Sequence, residues 1–169
     1  MSDNGSSKRS SVVVVGVDGS AGSMDALRWA VAEARLRQVR VRALHSWIYL
    51  QPLVPLLVGY PFTRDSIEPA ARDAAAVAQQ AAETILAKAM AELGEVDHVD
   101  VEQVIVQGSA AQVLIDAVSE QDLLVVGSRG HGGFAGLLLG SVSQQCAQHA
   151  SCPVVIVRAA ASNSREGVG

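Results

Sequence analysis

The stretch VVVVGVDGSAGSMDALRWA, residues 12–30, decides the fold. Its opening, VVVVGVD (12–18), is a run of β-branched residues with no polar face before the closing aspartate. Such a run is expected of a strand buried on both sides, as in a parallel sheet covered by helices. The period then changes. In GSAGSMDALRWAVAEARLRQ, Ala26, Leu27, Ala30, Val31 and Ala34 recur at helical spacing, with charges on the other side. A doubly buried strand that turns through glycines into an amphipathic helix is the opening unit of an α/β fold.

Outward from this unit the pattern repeats. VRVRALHSW (39–47) reads as a second strand, and a long loop covers 48–66. Within that loop LQPLVPLLVGYPF (50–62) holds three prolines and a glycine, which rules out a plain helix and suits a lid or a packed Ω-loop. A helix rich in alanine and glutamine is expected from about Glu68 to Leu93, stopped by Gly94. HVDVEQVIVQG (98–108) alternates like a strand, AAQVLIDAVSE is a short helix, and DLLVVG (122–127) is another buried strand. SVSQQCAQHA reads as a helix and CPVVIVR (152–158) as the last strand. Five strands alternating with helices predict an α/β, doubly wound, mainly parallel sheet with helices on both faces. One domain over 11–158 is expected, after a polar disordered lead at 1–10 that lacks signal-peptide features and before a frayed tail at 159–169.

Composition narrows the function. Hydrophobic residues make up 49% and charged residues 18%, the balance of a compact protein. A net charge of -4 and a pI near 5.5 disfavour nucleic acid and anionic membrane as partners. No segment reaches the roughly 18 apolar residues of a membrane span. Cys146 and Cys152 fit neither a disulfide framework nor a zinc pattern, so reduced thiols in a cytoplasmic setting are expected.

In such sheets ligands lie at the carboxyl ends of the strands, where strand order reverses. A reversal flanked by strands one and four puts Asp18 and Gly127 on either side of one crevice. The stretch GSRGHGGFAGLLLGS (127–141) therefore starts where a ligand is favoured. Gly127 closes the strand, Gly130 is expected to allow a positive φ, and Gly140 with Ser141 opens a helix. N–H groups at a helix N-terminus bind anions without any lysine, and Ser141 and Ser143 add hydroxyls there. A tight turn with Ser141 as N-cap explains the same residues equally well. No P-loop is present, and Asp18 stands where the dinucleotide fingerprint needs its second glycine.

Other residues also have two readings. Asp18 could cap the helix beginning near Gly22. His45 reads as a core or hydrogen-bonded histidine, His131 as solvated, and Trp29 and Trp47 as packing residues. Gly108 either approaches a ligand or makes a turn. No carboxylate pair, metal cluster or Ser-His-Asp order stands out, and GSAG (19–22) falls one glycine short of a nucleophile elbow, so no catalytic residue is named.

The spacing G127-x2-G130-x9-G140-S141 resembles the nucleotide-binding signature of the universal stress protein family. VVVVGVDGSAGSMDALRWA resembles the family's first strand and helix, HSW the end of its second strand, and CPVVIV its last strand. The resemblance implies strand order 3-2-1-4-5 and membership of the ATP-binding subgroup, which keeps the full glycine pattern. It places Gly16, Val17 and Asp18 near ribose and adenine, with the backbone around Ser46 facing the adenine. Val126, Gly127 and Gly130 would hug the ribose and inner phosphates, and Gly140, Ser141, Val142 and Ser143 the outer phosphates. Arg129 is not fixed by the family and faces either phosphate or solvent. ATP would bring Mg²⁺, with Asp18 the carboxylate placed to touch it. The implied role is regulatory nucleotide binding with slow or no hydrolysis. The alternatives are a slow ATPase, a nucleotidyl-transfer enzyme, or a cyclic AMP binding protein. A homodimer through the last strand (Pro153, Val154, Val155, Ile156 and Val157) is also implied, against an edge covered by the C-terminal tail.

Overall fold

A computed structural model of the chain describes residues 11–49, 64–130 and 138–158. The elements are β1 (Val13–Gly16), α1 (Ala21–Arg37), β2 (Val41–Trp47), α2 (Arg64–Leu93), β3 (Val101–Gln107), α3 (Ala110–Asp116), β4 (Leu123–Gly127), α4 (Ser141–His149) and β5 (Val154–Val157). The described strands form one sheet in the order β3-β2-β1-β4-β5, and every neighbouring pair is parallel. The doubly wound expectation holds.

The apolar character of the first strand has a direct cause. Val13 and Val15 pack with Leu27, Ala30 and Leu86 on the face covered by α1 and α2. Val14 joins Leu44, Leu124, Leu114 and Cys146 on the opposite face, under α3 and α4. Alternate side chains of a strand point to opposite faces, so a strand covered on both sides has no place for a polar residue.

Helix α1 starts one turn after β1. Ser20 is its N-cap, in extended conformation, and its hydroxyl accepts a hydrogen bond from the Ser23 N–H at 3.2 Å. The alternative that Asp18 caps this helix is thus corrected: Asp18 lies two residues upstream and acts on the cap itself. Helix α2 begins at Arg64, ahead of the expected Glu68, and carries Pro69 inside it. It ends at Leu93, where Gly94 takes a positive φ of 74°. Thirty helical residues span about 45 Å, roughly twice the length of a seven-residue strand. Among the described residues its fully buried positions, Ala82, Leu86 and Ala89, all lie in the second half.

Both cysteines are free and buried. Burial, with a smaller contribution from the neighbouring Cys152, pushes the Cys146 thiol up to about 11 from its ordinary 9.0. Trp29 packs against the α1 and α2 core, as expected. Gly108 ends β3 with a φ of 152°, and its N–H donates to the Trp47 carbonyl at 2.8 Å. It serves the turn reading. The lead at 1–10, most of loop 48–66, His131 and the tail at 159–169 lie outside the described residues.

Candidate functional site

Strand β1 pairs with β2 on one side and β4 on the other, and the helices that follow them lie on opposite faces. The carboxyl ends of β1 and β4 therefore open into a crevice. A cavity of about 470 Å³ occupies it. Every residue named from the sequence lines this cavity: Gly16, Val17, Asp18, Ser46, Val126, Gly127, Arg129, Gly130, Gly140, Ser141, Val142 and Ser143. The remaining lining comes from Ser23, Leu44, His45, Ile85, Ala110 and Leu114. Ile85 on α2 and Ala110 and Leu114 on α3 carry no local signal, because topology alone brings these helices to the crevice.

Two helix N-termini converge here, and the structure treats them differently. The start of α1 is closed by its own residues. Asp18 Oδ1 accepts from the Ser20 N–H at 2.9 Å and the Ser20 hydroxyl at 2.6 Å. The Ser23 hydroxyl donates to the Ser20 carbonyl at 2.9 Å, and the Asp18 N–H donates back to the Ser23 hydroxyl at 3.3 Å. Backbone contact seals the rest. A Cβ on Gly127 would stand 2.9 Å from the Gly22 carbonyl group, and one on Gly22 would stand 2.8 Å from the Arg129 carbonyl oxygen.

The start of α4 is open by comparison. Gly140 is its N-cap, has no side chain to cap with, and no acidic residue occupies the first turn. The first N–H groups of a helix have no intrahelical partners, so those of Ser141, Val142 and Ser143 carry the positive end of the dipole into the cavity. The loop before α4 is tied to it from behind. The Gly140 N–H donates to the Ser128 carbonyl at 2.7 Å, and the Ser143 hydroxyl donates to the carbonyls of Ser128 at 3.1 Å and Gly140 at 2.9 Å. The Ser143 hydroxyl is therefore engaged within the protein, while its N–H belongs to the open turn.

Gly130 departs from the sequence expectation. Its φ lies outside the left-handed region, and its need for glycine is spatial: a Cβ there would collide with Asp18 Oδ2. His45 is buried beside this group, its Nδ1–H donating to the Val17 carbonyl at 2.6 Å. Since a carbonyl only accepts, the bond fixes the tautomer and holds the turn that carries Asp18. Among the described residues, no group of three or more His, Cys, Asp or Glu is arranged to hold a metal ion.

This crevice, with a glycine-spaced loop running from β4 to an uncapped helix, matches a known family over its length. The universal stress protein family model covers residues 10–158. The chain belongs to the universal stress protein family. A universal stress protein of Mycobacterium tuberculosis is 37% identical over 147 residues, covering 86% of this chain and 44% of the relative. The chain thus spans less than half the length of the curated relatives it matches. Among solved structures, universal stress protein UspA from Lactobacillus plantarum aligns with a TM-score of 0.67 at 18% identity, covering 88% of this chain and 97% of that one. A universal stress protein solved in complex with cAMP aligns with a TM-score of 0.59 at 26% identity, covering 89% and 98%. Family membership agrees with the strand order of the sheet.

Proposed function

We propose that the crevice binds an adenine nucleotide, ATP in the regulatory state, with slow or no hydrolysis. The observation that carries this reading is the contrast between the two helix starts. One is closed by Asp18, Ser20 and Ser23, and the other offers bare N–H groups to a cavity of nucleotide size. The outer phosphates would lie at Gly140, Ser141, Val142 and Ser143, and the ribose and inner phosphates against Val126, Gly127 and Gly130. Gly16, Val17, Asp18 and Ser46 would meet the nucleoside. The relative solved with cAMP supports an adenine nucleotide and makes cyclic AMP the second reading. Mg²⁺ would arrive with the phosphates, and Asp18, whose Oδ2 lies against Gly130 at the cavity wall, is the carboxylate that would meet it.

Gly140→Ala tests the site with little cost to the fold. A Cβ there would meet no atom closer than 3.5 Å, an ordinary contact. The methyl would nevertheless stand at the mouth of the open helix start. Calorimetric titration with ATP and with cyclic AMP should show affinity reduced about tenfold or more, at an unfolding free energy within about 1 kcal/mol of the parent. Unchanged affinity for both nucleotides would move the phosphates elsewhere.

We further propose a cytoplasmic homodimer paired through β5. Among the described residues β5 pairs only with β4, and Val154, Val155, Ile156 and Val157 are all half-buried in the single chain. An apolar edge left bare is a template for strand pairing. Val155→Asp should give monomers by light scattering, and a persistent dimer would relocate the interface. Among the described residues no helix is long and apolar enough to cross a membrane.

A further inference from the structure

We propose that Arg129 sets the preference of this pocket by phosphate number, favouring nucleoside di- and triphosphates over monophosphates and cyclic monophosphates. The inference rests on reading the crevice as an adenine-nucleotide site. Arg129 is the one arginine or lysine among the described residues that line the cavity. Its backbone is held between the two helix starts. Its carbonyl oxygen presses against Gly22 of α1, and its Cα would lie 3.5 Å from a Cβ placed on the α4 N-cap Gly140. The side chain is therefore rooted beside the open N–H groups.

Among the described residues, Arg129 holds no ion pair. The residue is exposed, and the ion pairs among the described residues belong to Arg28, Arg37, Arg42 and Arg72. With the inner phosphate by Gly127 and Gly130, the outer phosphates of a di- or triphosphate reach the α4 start, where neutral N–H groups meet them. Arg129 is rooted between these two places, so each phosphate beyond the first comes beside a guanidinium that offers charge and a two-pronged donor geometry the helix start lacks. The same exposure makes the contribution sensitive to salt.

Titration of the parent, Arg129→Gln and Arg129→Lys with ATP, ADP, AMP and cyclic AMP at two salt concentrations tests this. In the parent, ATP is expected to bind about tenfold more tightly than AMP. Arg129→Gln should remove about that factor for ATP and leave AMP and cyclic AMP within about twofold, with the ATP affinity losing much of its salt dependence. Arg129→Lys, which keeps the charge without the fork, should fall between the two. Equal losses for ATP and AMP in Arg129→Gln, or no loss for either, would overturn the role of Arg129. A parent that binds none of the four would overturn the nucleotide reading itself, an outcome separate from either of these.

Discussion

Gly127→Ala is expected to destabilise the fold by about 3 kcal/mol and to abolish nucleotide binding, a larger effect than any other glycine substitution at the crevice. The reason is that its neighbours are backbone atoms. An added Cβ would lie 2.9 Å from the carbon and oxygen of the Gly22 carbonyl and 3.2 Å from the Ser23 nitrogen. Neither can rotate aside, so the first turn of α1 must lift from the end of β4. That turn is where Asp18, Ser20 and Ser23 exchange their hydrogen bonds, and where Gly22 packs under Arg129. Urea unfolding should show a midpoint lowered by about 1.5 M for a slope near 2 kcal/mol per M. Gly94→Ala is the control. Gly94 has a φ of 74°, but a Cβ added there would meet no atom within 4 Å, so its cost is backbone strain alone, about 1 kcal/mol. If Gly127→Ala proves no less stable than Gly94→Ala, the close approach of α1 to β4 is not what demands glycine there.

The same pair of glycines shows what can be seen in the sequence. Gly94 is legible because its cause is local: a helical pattern stops and the next residue must turn left-handed. The strands at 12–18 and 122–127 are legible for a similar reason, since an apolar run with no polar face can only be buried on both sides. The residues of the crevice are legible because the glycine spacing from Gly127 to Ser141 lies in one continuous stretch. The causes are harder. The sequence around Gly130 suggests a conformational requirement, whereas its constraint is Asp18, more than a hundred residues away in sequence and adjacent in space. The start of helix α2 at Arg64, ahead of the expected Glu68, is hidden because nothing in RDSI (64–67) announces a helix and an isolated first turn is costly without the packing of the rest. The closed start of α1 is written in DGSAGS (18–23), but serines, glycines and an aspartate in a turn suit several hydrogen-bond patterns until β4 lies against them.

Asp122→Ala is expected to cost about 3 kcal/mol while leaving nucleotide affinity in the folded protein unchanged. Asp122 closes the opposite end of the sheet. Its Oδ1 accepts from the Val12 N–H at 2.9 Å, and its Oδ2 accepts from the Ser119 N–H at 2.8 Å and the Ser119 hydroxyl at 2.7 Å. The residue is only 7% exposed, and Val12 belongs to the apolar cluster under α3 and α4. Alanine would leave the Val12 N–H facing that cluster without this acceptor, and would free the turn that leads into β4. Asp122→Asn should cost somewhat less, about 2 kcal/mol, since one carbonyl remains and the amide N–H₂ meets an N–H or hydroxyl that was donating. The length of β4 separates this end from the crevice by about 17 Å, so the two should respond independently. Urea unfolding alongside ATP titration would measure both. A stability loss under about 1 kcal/mol would mean that Ser119 and Val12 find other acceptors. A loss of affinity equal to that of Gly127→Ala would mean that the two ends of β4 are coupled, and that the crevice is not a local construction on the carboxyl ends of β1 and β4.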